Sequence, residues 1–135
     1  MIIRGIVTSG LKEGRYYLSK KEYVEPLTRI LGFKPYPGTL NIKICSTKPE
    51  NIHSRLVVLP SKRVNGFCAN GVQYFGVSCI EAVIRKGDRE IRGAILLIDK
   101  TKHGPEIIEF IAPVYLREAL NLKDGDFVEI RIPSQ

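Results

Sequence analysis

The chain has 135 residues, of which 44% are hydrophobic and 26% are charged. This length and composition predict one globular domain, spanning residues 1–135, with enough apolar surface for a core of its own. No apolar run approaches the length of a membrane span, and Met1 leads into a mixed segment rather than a secretion signal. We therefore expect a cytoplasmic protein with no membrane partner.

The net charge of +7 at pH 7 favours an anionic partner, either a nucleic acid or a small phosphorylated ligand. The cations are scattered along the chain, and the sequence has neither an RNA-binding aromatic motif nor zinc-finger spacing. Cys45, Cys68 and Cys79 form no CxxC pair, which predicts reduced thiols rather than a metal site. A basic surface without functional meaning remains the alternative.

The first predicted elements are a strand-like apolar run over residues 2–7 and a helix that ends at Gly32. Ser19 and Glu22 have the spacing of a capping box at the start of this helix. Its apolar face consists of Tyr23, Leu27, Ile30 and Leu31. Pro26 conflicts with the prediction, because a proline beyond the first turn should kink or split a helix.

The rest of the chain has mainly β periodicity. Residues 40–44 alternate between apolar and polar types, as a half-buried strand does. Further strands are predicted at residues 72–84, 90–98, 107–111 and 127–132, with glycine turns at 65–66, 70–71 and 85–89. A short second helix is predicted from Pro113 to about residue 119. Many short strands with two helices indicate a small closed all-β barrel.

The first candidate site is the loop over residues 9–15, where two glycines bracket Lys12. Such a loop can turn sharply, direct backbone N–H groups at an anion and place Lys12 and Arg15 around it. Gly5 and Gly10 have the glycine spacing of a kinase P-loop, but Leu11 stands where that motif has lysine. The alternative is an ordinary glycine turn between two strands.

A second candidate follows the rigid turn at Pro37. Thr39 and Asn41 are two residues apart and therefore lie on the same side of a strand. Their hydroxyl and amide oxygens are ligands that Mg²⁺ accepts when substrate phosphates complete its coordination. The alternative is turn chemistry followed by a solvated strand face.

Two further polar stretches come later in the chain. The loop over residues 99–106 leads to Glu109, which lies within an apolar strand. The default interpretation is that Glu109 lies on a solvated strand face. For His103, in the loop, the default interpretation is a surface position. A helix beginning at Pro113 would offer free N–H groups, with Arg117 one turn on, to a phosphate or a base edge. The alternative there is an amphipathic turn that packs Leu116 inward.

Taken in order, these motifs resemble those of the archaeal CTP-dependent riboflavin kinases. The matching stretches are Ser-Gly-Leu-x-Glu-Gly-Arg-Tyr, Ile-Leu-Gly-Phe-x-Pro-Tyr-x-Gly-Thr-Leu-Asn, Glu-Ile-Ile-Glu-x-Ile-Ala-Pro-x-x-Leu-Arg-Glu and Asn-Leu-Lys-Asp-Gly-Asp. They extend from Gly5 to about Ile130, and the match is weakest over residues 48–70.

The resemblance implies a six-stranded cradle-loop barrel, related to the riboflavin-synthase and translation-factor barrels. It also implies a reaction, in which the γ-phosphoryl group of CTP is transferred to the terminal ribityl hydroxyl of riboflavin, giving FMN and CDP. The partners would be these small molecules and Mg²⁺, with no nucleic acid, and the protein would be a monomer.

The resemblance also implies roles for particular residues. The nucleotide and its phosphates would be bound by Leu11, Lys12, Glu13, Gly14, Arg15 and Tyr16 and, from the other side, by Val114, Tyr115, Leu116 and Arg117. Thr39 and Asn41 would hold Mg²⁺, and Thr101 and Glu109 would contact the flavin. Glu109 and Arg15 are the candidate catalytic residues.

Two other functions remain open at this stage. Residues 121–128 look like the turn of swapped-hairpin transcription-factor barrels, and a charge of +7 would suit a nucleic-acid-binding barrel. A flavin carrier without transferase activity is the third possibility.

Overall fold

The computed structural model describes residues 1–10, 18–99 and 103–133. The strands in these ranges are β1 (Ile2–Thr8), β2 (Leu40–Ile44), β3 (Lys62–Val64), β4 (Phe67–Ala69), β5 (Val72–Tyr74), β6 (Val77–Lys86), β7 (Arg89–Ile98), β8 (Ile107–Ile111) and β9 (Phe127–Arg131). The helices are α1 (Lys21–Leu31), α2 (Pro49–Leu56) and α3 (Leu116–Ala119). Across the described ranges, no helix combines the length and the apolar character needed to cross a bilayer.

Six strands form a closed antiparallel barrel. Neighbouring strands pair in the order β6-β7-β8-β2-β1-β9, and β9 pairs back onto β6, with Ile84 opposite Ile130. The short strand β3 adds to the other end of β6, beyond the ring. Closure removes the exposed sheet edges that would otherwise invite association. The predicted six-stranded all-β barrel is therefore confirmed.

The long hairpin of β6 and β7 was predicted correctly, but the strand predicted at residues 72–84 is wrong as one element. It divides at Phe75 and Gly76 into β5 and β6. β5 leaves the barrel because it pairs with β4 in a separate two-stranded sheet. The turn between them has φ of 51° at Asn70 and 75° at Gly71, which is the backbone that a two-residue hairpin requires.

The barrel interior is filled by the inward-facing residues of each strand. Along β2, Leu40, Ile42 and Ile44 are buried, while Asn41 and Lys43 between them face outward. The interior cluster also includes Ile3, Val7, Ile80, Ile84, Ile95, Ile108, Phe110, Val128 and Ile130. This alternation is the reason that the polar residues of β2 were identifiable from the sequence.

Helix α1 packs on the outer face of the barrel through Tyr23 and Leu27, in a second cluster that includes Ile111. It ends at Gly32 as predicted, with φ of 79°. The predicted capping box is wrong, because Lys20 rather than Ser19 is the N-cap residue. The helix continues through Pro26, since the packing of its buried face stabilises it more than one lost hydrogen bond destabilises it.

The other two helices differ from the sequence-based expectation. Helix α2 was not predicted; Pro49 lies in its first turn and Leu56 packs into the barrel cluster. Helix α3 begins at Leu116 rather than Pro113, and Tyr115 before it has an extended backbone. A helix of four residues is too short to supply the N-terminal anion site that a start at Pro113 implied.

We predict that Gly93→Ala destabilises the barrel. A Cβ atom at Gly93 in β7 would overlap the carbonyl oxygen of Ile111 and the ring of Phe110. Overpacking against a backbone atom should lower the free energy of unfolding by about 1–3 kcal/mol, measured by urea denaturation. The matched control is Gly87→Asn, where φ is 62° and no atom lies within 4 Å of the added Cβ; it should cost less than about 1 kcal/mol. Equal losses in the two variants would contradict this account.

Candidate functional site

The candidate site lies where β1, β2 and β8 run side by side. Asn41 of β2 pairs with Thr8 of β1 on one side and with Glu109 of β8 on the other. Thr39 directly precedes β2. The sequence-predicted residues Thr39, Asn41 and Glu109 are therefore brought together, although up to 70 positions separate them in the chain.

Gly10, directly after β1, lies against the Asn41 side chain. A Cβ atom at Gly10 would overlap the amide group of Asn41, so a larger residue there would displace that side chain. Gly5, by contrast, lies within β1 and pairs with Ile44 and Val128, so its spacing from Gly10 does not define a loop. The remaining predicted loop residues, namely Leu11, Lys12, Glu13, Gly14, Arg15 and Tyr16, lie outside the described residues.

Glu109 is buried, with a relative exposure of 2%, so the expectation of a solvated face is wrong. The Thr39 hydroxyl donates to Glu109 Oε1 at 3.0 Å. His103 Nε2 lies 3.0 Å from Glu109 Oε2, and both carboxylate oxygens thus have partners. A buried carboxylate is tolerated only with such partners, because burial otherwise favours its neutral form.

His103 is correspondingly not a simple surface residue, as the default interpretation had it. Its side chain is 21% exposed, and Nδ1 lies 2.9 Å from the carbonyl oxygen of Gly104. Thr101, expected at a flavin contact, lies outside the described residues.

Two adjoining cavities open at this point, and both are lined by Ser9, Gly10 and Asn41. The larger has a volume of about 700 Å³, within the usual range for small-molecule sites. Its other lining residues are Tyr36, Pro37, Gly38, Thr39, Leu40, Phe110, Ala112, Val114, Tyr115, Leu116 and Arg117. The smaller, of about 150 Å³, is also lined by Thr8, His103, Ile107 and Glu109.

The segment 114–117 forms one wall of the larger cavity. The Tyr115 ring stacks on Tyr36, with centroids 5.1 Å apart and planes 21° apart, and Val114 is exposed beside them. Leu116 is buried in the barrel cluster and packs inward, as the alternative interpretation had it. Among the described lining residues Arg117 carries the one full charge, so the cavity combines an aromatic surface with a cation.

Arg117 is held in place by Asp124, in the turn before β9. Its guanidinium donates to Asp124 Oδ1 at 2.8 Å and to the carbonyl oxygen of Thr8 at 3.4 Å. The Ser9 hydroxyl donates to Asp124 Oδ2 at 2.5 Å. The hydrogen bond from Ser9 and then that from Arg117 lower the pKa of the Asp124 carboxyl below its ordinary value. Asp124 therefore links Ser9, directly after β1, to the wall that carries Arg117.

The oxygen atoms beside Glu109 fit a divalent cation such as Mg²⁺. Because the Thr39 hydroxyl donates its proton to Glu109, its lone pairs remain available on the other side. The Asn41 amide oxygen is a second hard oxygen donor. Within the described ranges, no three His, Cys, Asp or Glu side chains come together, so this set would depend on neutral ligands.

Sequence reasoning missed three members of the site. Tyr36 occurs in a matching motif but was given no role, and His103 was interpreted as a surface residue. Asp124 was noted only within a turn. The carboxylate of Asp124, three residues before β9, was a signal, but its partner Ser9 lies 115 positions away in the sequence.

A family model named CTP-dep_RFKase, with the description "Domain of unknown function DUF120", matches residues 7–132 of the chain. Among curated proteins, the chain is 44% identical over 137 residues to "Riboflavin kinase" of Thermofilum pendens, covering 98% of this chain and 59% of that protein.

Two further relatives carry the same name. The chain is 42% identical over 130 residues to the protein of Ignicoccus hospitalis, covering 96% of this chain and 70% of that protein. It is 42% identical over 130 residues to the protein of Pyrococcus abyssi, covering 96% of this chain and 58% of that protein. The chain thus spans about three fifths of the length of several relatives that it matches.

We predict that Ser9→Ala raises the pKa of the Asp124 carboxyl towards its ordinary value. The Ser9 hydroxyl stabilises the ionised form, and the folded state gains from it only above the pH at which Asp124 ionises. A carboxyl-detected NMR titration measures the shift. Ser54→Ala is the control, because Ser54 donates to the Glu50 carbonyl within α2. An unchanged Asp124 titration in Ser9→Ala would contradict the assignment.

Proposed function

Because the chain belongs to the CTP-dependent riboflavin kinase family, we propose that it transfers the γ-phosphoryl group of CTP to the terminal ribityl hydroxyl of riboflavin. The products would be FMN and CDP. The observation that carries this proposal is that Gly10 and Asn41 line both a large cavity and a small one, and that Glu109 lines the small one beside them. A phosphoryl transfer needs such a junction, since donor and acceptor must approach one point from two directions.

The larger cavity would take the nucleotide. Stacking on the Tyr36 and Tyr115 pair suits a planar base, and Arg117 suits an anionic phosphate. Lys12, Gly14 and Arg15 would complete the phosphate site, since they follow directly from Gly10 in the chain. In this arrangement the segment 114–117 and the loop after β1 would enclose the nucleotide from opposite sides.

The ribityl end of riboflavin would enter the smaller cavity beside Glu109. In the reaction, the substrate hydroxyl oxygen forms a bond to the γ-phosphorus, while the bond from that phosphorus to the β-γ bridging oxygen breaks. The hydroxyl proton passes to the Glu109 carboxylate, and the electron pair of the broken bond leaves with CDP. Glu109 is suited to this role because it is buried and held on both oxygens, so that it is already oriented.

Thr39 and Asn41 would hold the divalent cation, whose charge, when it is bound, neutralises that of the phosphates. The chain itself would supply orientation. Well-oriented reactants can lower a barrier by roughly 7–11 kcal/mol, so a strong base is not required. The choice of CTP over other nucleotides would come from hydrogen bonds to the cytosine edge, for which the backbone near residues 114–117 is our candidate.

We predict that the purified protein forms FMN from riboflavin with CTP and Mg²⁺, and much more slowly with ATP. The measurement is chromatographic separation of FMN from riboflavin, with each nucleotide at the same concentration. Equal rates with ATP and CTP would contradict the proposed base selection. Quenching of riboflavin fluorescence without FMN formation would indicate a flavin carrier, and binding of duplex DNA without quenching would favour the nucleic-acid-binding alternative.

We predict that Asn41→Ala lowers kcat/KM on the order of 100-fold, because one oxygen donor to the phosphate and cation site is lost. The free energy of unfolding should change little, since Asn41 faces out of the barrel. Asn51→Ala is the matched control, because Asn51 is exposed on α2 and lines neither cavity. Full activity of Asn41→Ala would remove this residue from the proposed site.

A further inference from the structure

We infer that His103 is the positioning residue of the reaction: it holds the Glu109 carboxylate in the orientation needed to accept the substrate proton. This inference rests on the proposed function and adds to it a residue to which neither the sequence motifs nor the comparisons give a role. Three observations support it, namely the burial of Glu109, the two-sided anchoring of the His103 ring and the cavity that they share.

The burial of Glu109 makes its orientation dependent on neighbouring side chains. At 2% exposure, water cannot supply the hydrogen bonds that a surface carboxylate finds in any rotamer. Thr39 donates to Oε1 and His103 faces Oε2, so the two partners define the plane of the carboxyl group. With the Thr39 contact alone, the group could still rotate about its bond to Cγ.

The His103 ring is itself fixed. Nδ1 lies 2.9 Å from the Gly104 carbonyl oxygen, which can only accept, so Nδ1 carries a proton and donates it there. This contact sets the ring orientation and turns Nε2 towards Glu109 Oε2 at 3.0 Å. With Nδ1 protonated, Nε2 donates to the ionised carboxylate in the imidazolium form of the ring and accepts from the protonated carboxyl group in the neutral form. A backbone carbonyl thus positions the imidazole, and the imidazole positions the carboxylate.

The cavity that they share gives the substrate access to this pair. His103 and Glu109 both line the smaller cavity, and Asn41 lines it from β2. Glu109 therefore contacts its two partners and also borders the space proposed for the ribityl hydroxyl.

The test compares His103→Leu with His103→Gln in the full chain. His103→Leu should lower kcat about 100-fold, the low end of what a positioned acid or base contributes, with KM for riboflavin and for CTP within about threefold of the wild type. The kcat of His103→Gln should be at least tenfold higher than that of His103→Leu, since the glutamine amide can donate at about the position of Nε2. His53→Leu and His53→Gln are the matched controls on α2 and should leave both constants unchanged.

A spectroscopic measurement tests the contact without turnover. In the wild type, the ¹⁵N signal of His103 Nε2 should show a hydrogen bond to a carboxylate, and Glu109→Gln should shift it while the His53 signals stay in place. A His103 signal insensitive to Glu109→Gln would overturn the inference.

The outcomes separate the inference from the proposed function. A wild type that forms FMN, with both His103 variants within threefold of its kcat, would overturn the inference and leave the function standing. A higher KM together with a lower thermal stability, neither of them restored in His103→Gln, would assign His103 a structural role and also overturn the inference. A wild type that forms no FMN would overturn the proposed function, and this inference with it.

Discussion

The pairing of β2 with β1 and β8 is the constraint on which the candidate site depends. It sets Asn41 beside Thr8 and opposite Glu109, on the outer face of the barrel. On the inner face of the same strand, Leu40, Ile42 and Ile44 are buried in the core. A slip of one residue would turn Asn41 inward and a core residue outward, so the packing of the core also fixes the register of the site.

Closure of the barrel makes this register rigid. Because β9 pairs back with β6, no strand of the ring has a free edge along which it could shift. Asn41 and Glu109 lie within β2 and β8, whereas Thr39, His103 and Arg117 lie in the segments between strands, where side chains can face a ligand. The result is a stiff scaffold with connecting segments at its rim, which suits a reaction that depends on positioning.

Two small hydrogen-bond networks link those segments to the scaffold. One joins Glu109 in β8 to Thr39 before β2 and to His103 before β8. The other joins Asp124 before β9 to Ser9 after β1 and to Arg117 in α3. Each network connects residues that are far apart in sequence, and each lies at the border of a cavity. The first would orient the acceptor side and the second the nucleotide side of the proposed reaction.

The sequence by itself determined the barrel strands, since alternation such as that of residues 40–44 reflects a strand with one face in the core. It also made Thr39, Asn41 and Glu109 candidate site residues, through the resemblance of their motifs to those of a known family. Only the tertiary structure decided that Glu109 is buried, that His103 faces it and that Asp124 holds Ser9 and Arg117. Local patterns determine which face of a strand a side chain takes, whereas burial and long-range partners depend on which strands the closed barrel places side by side.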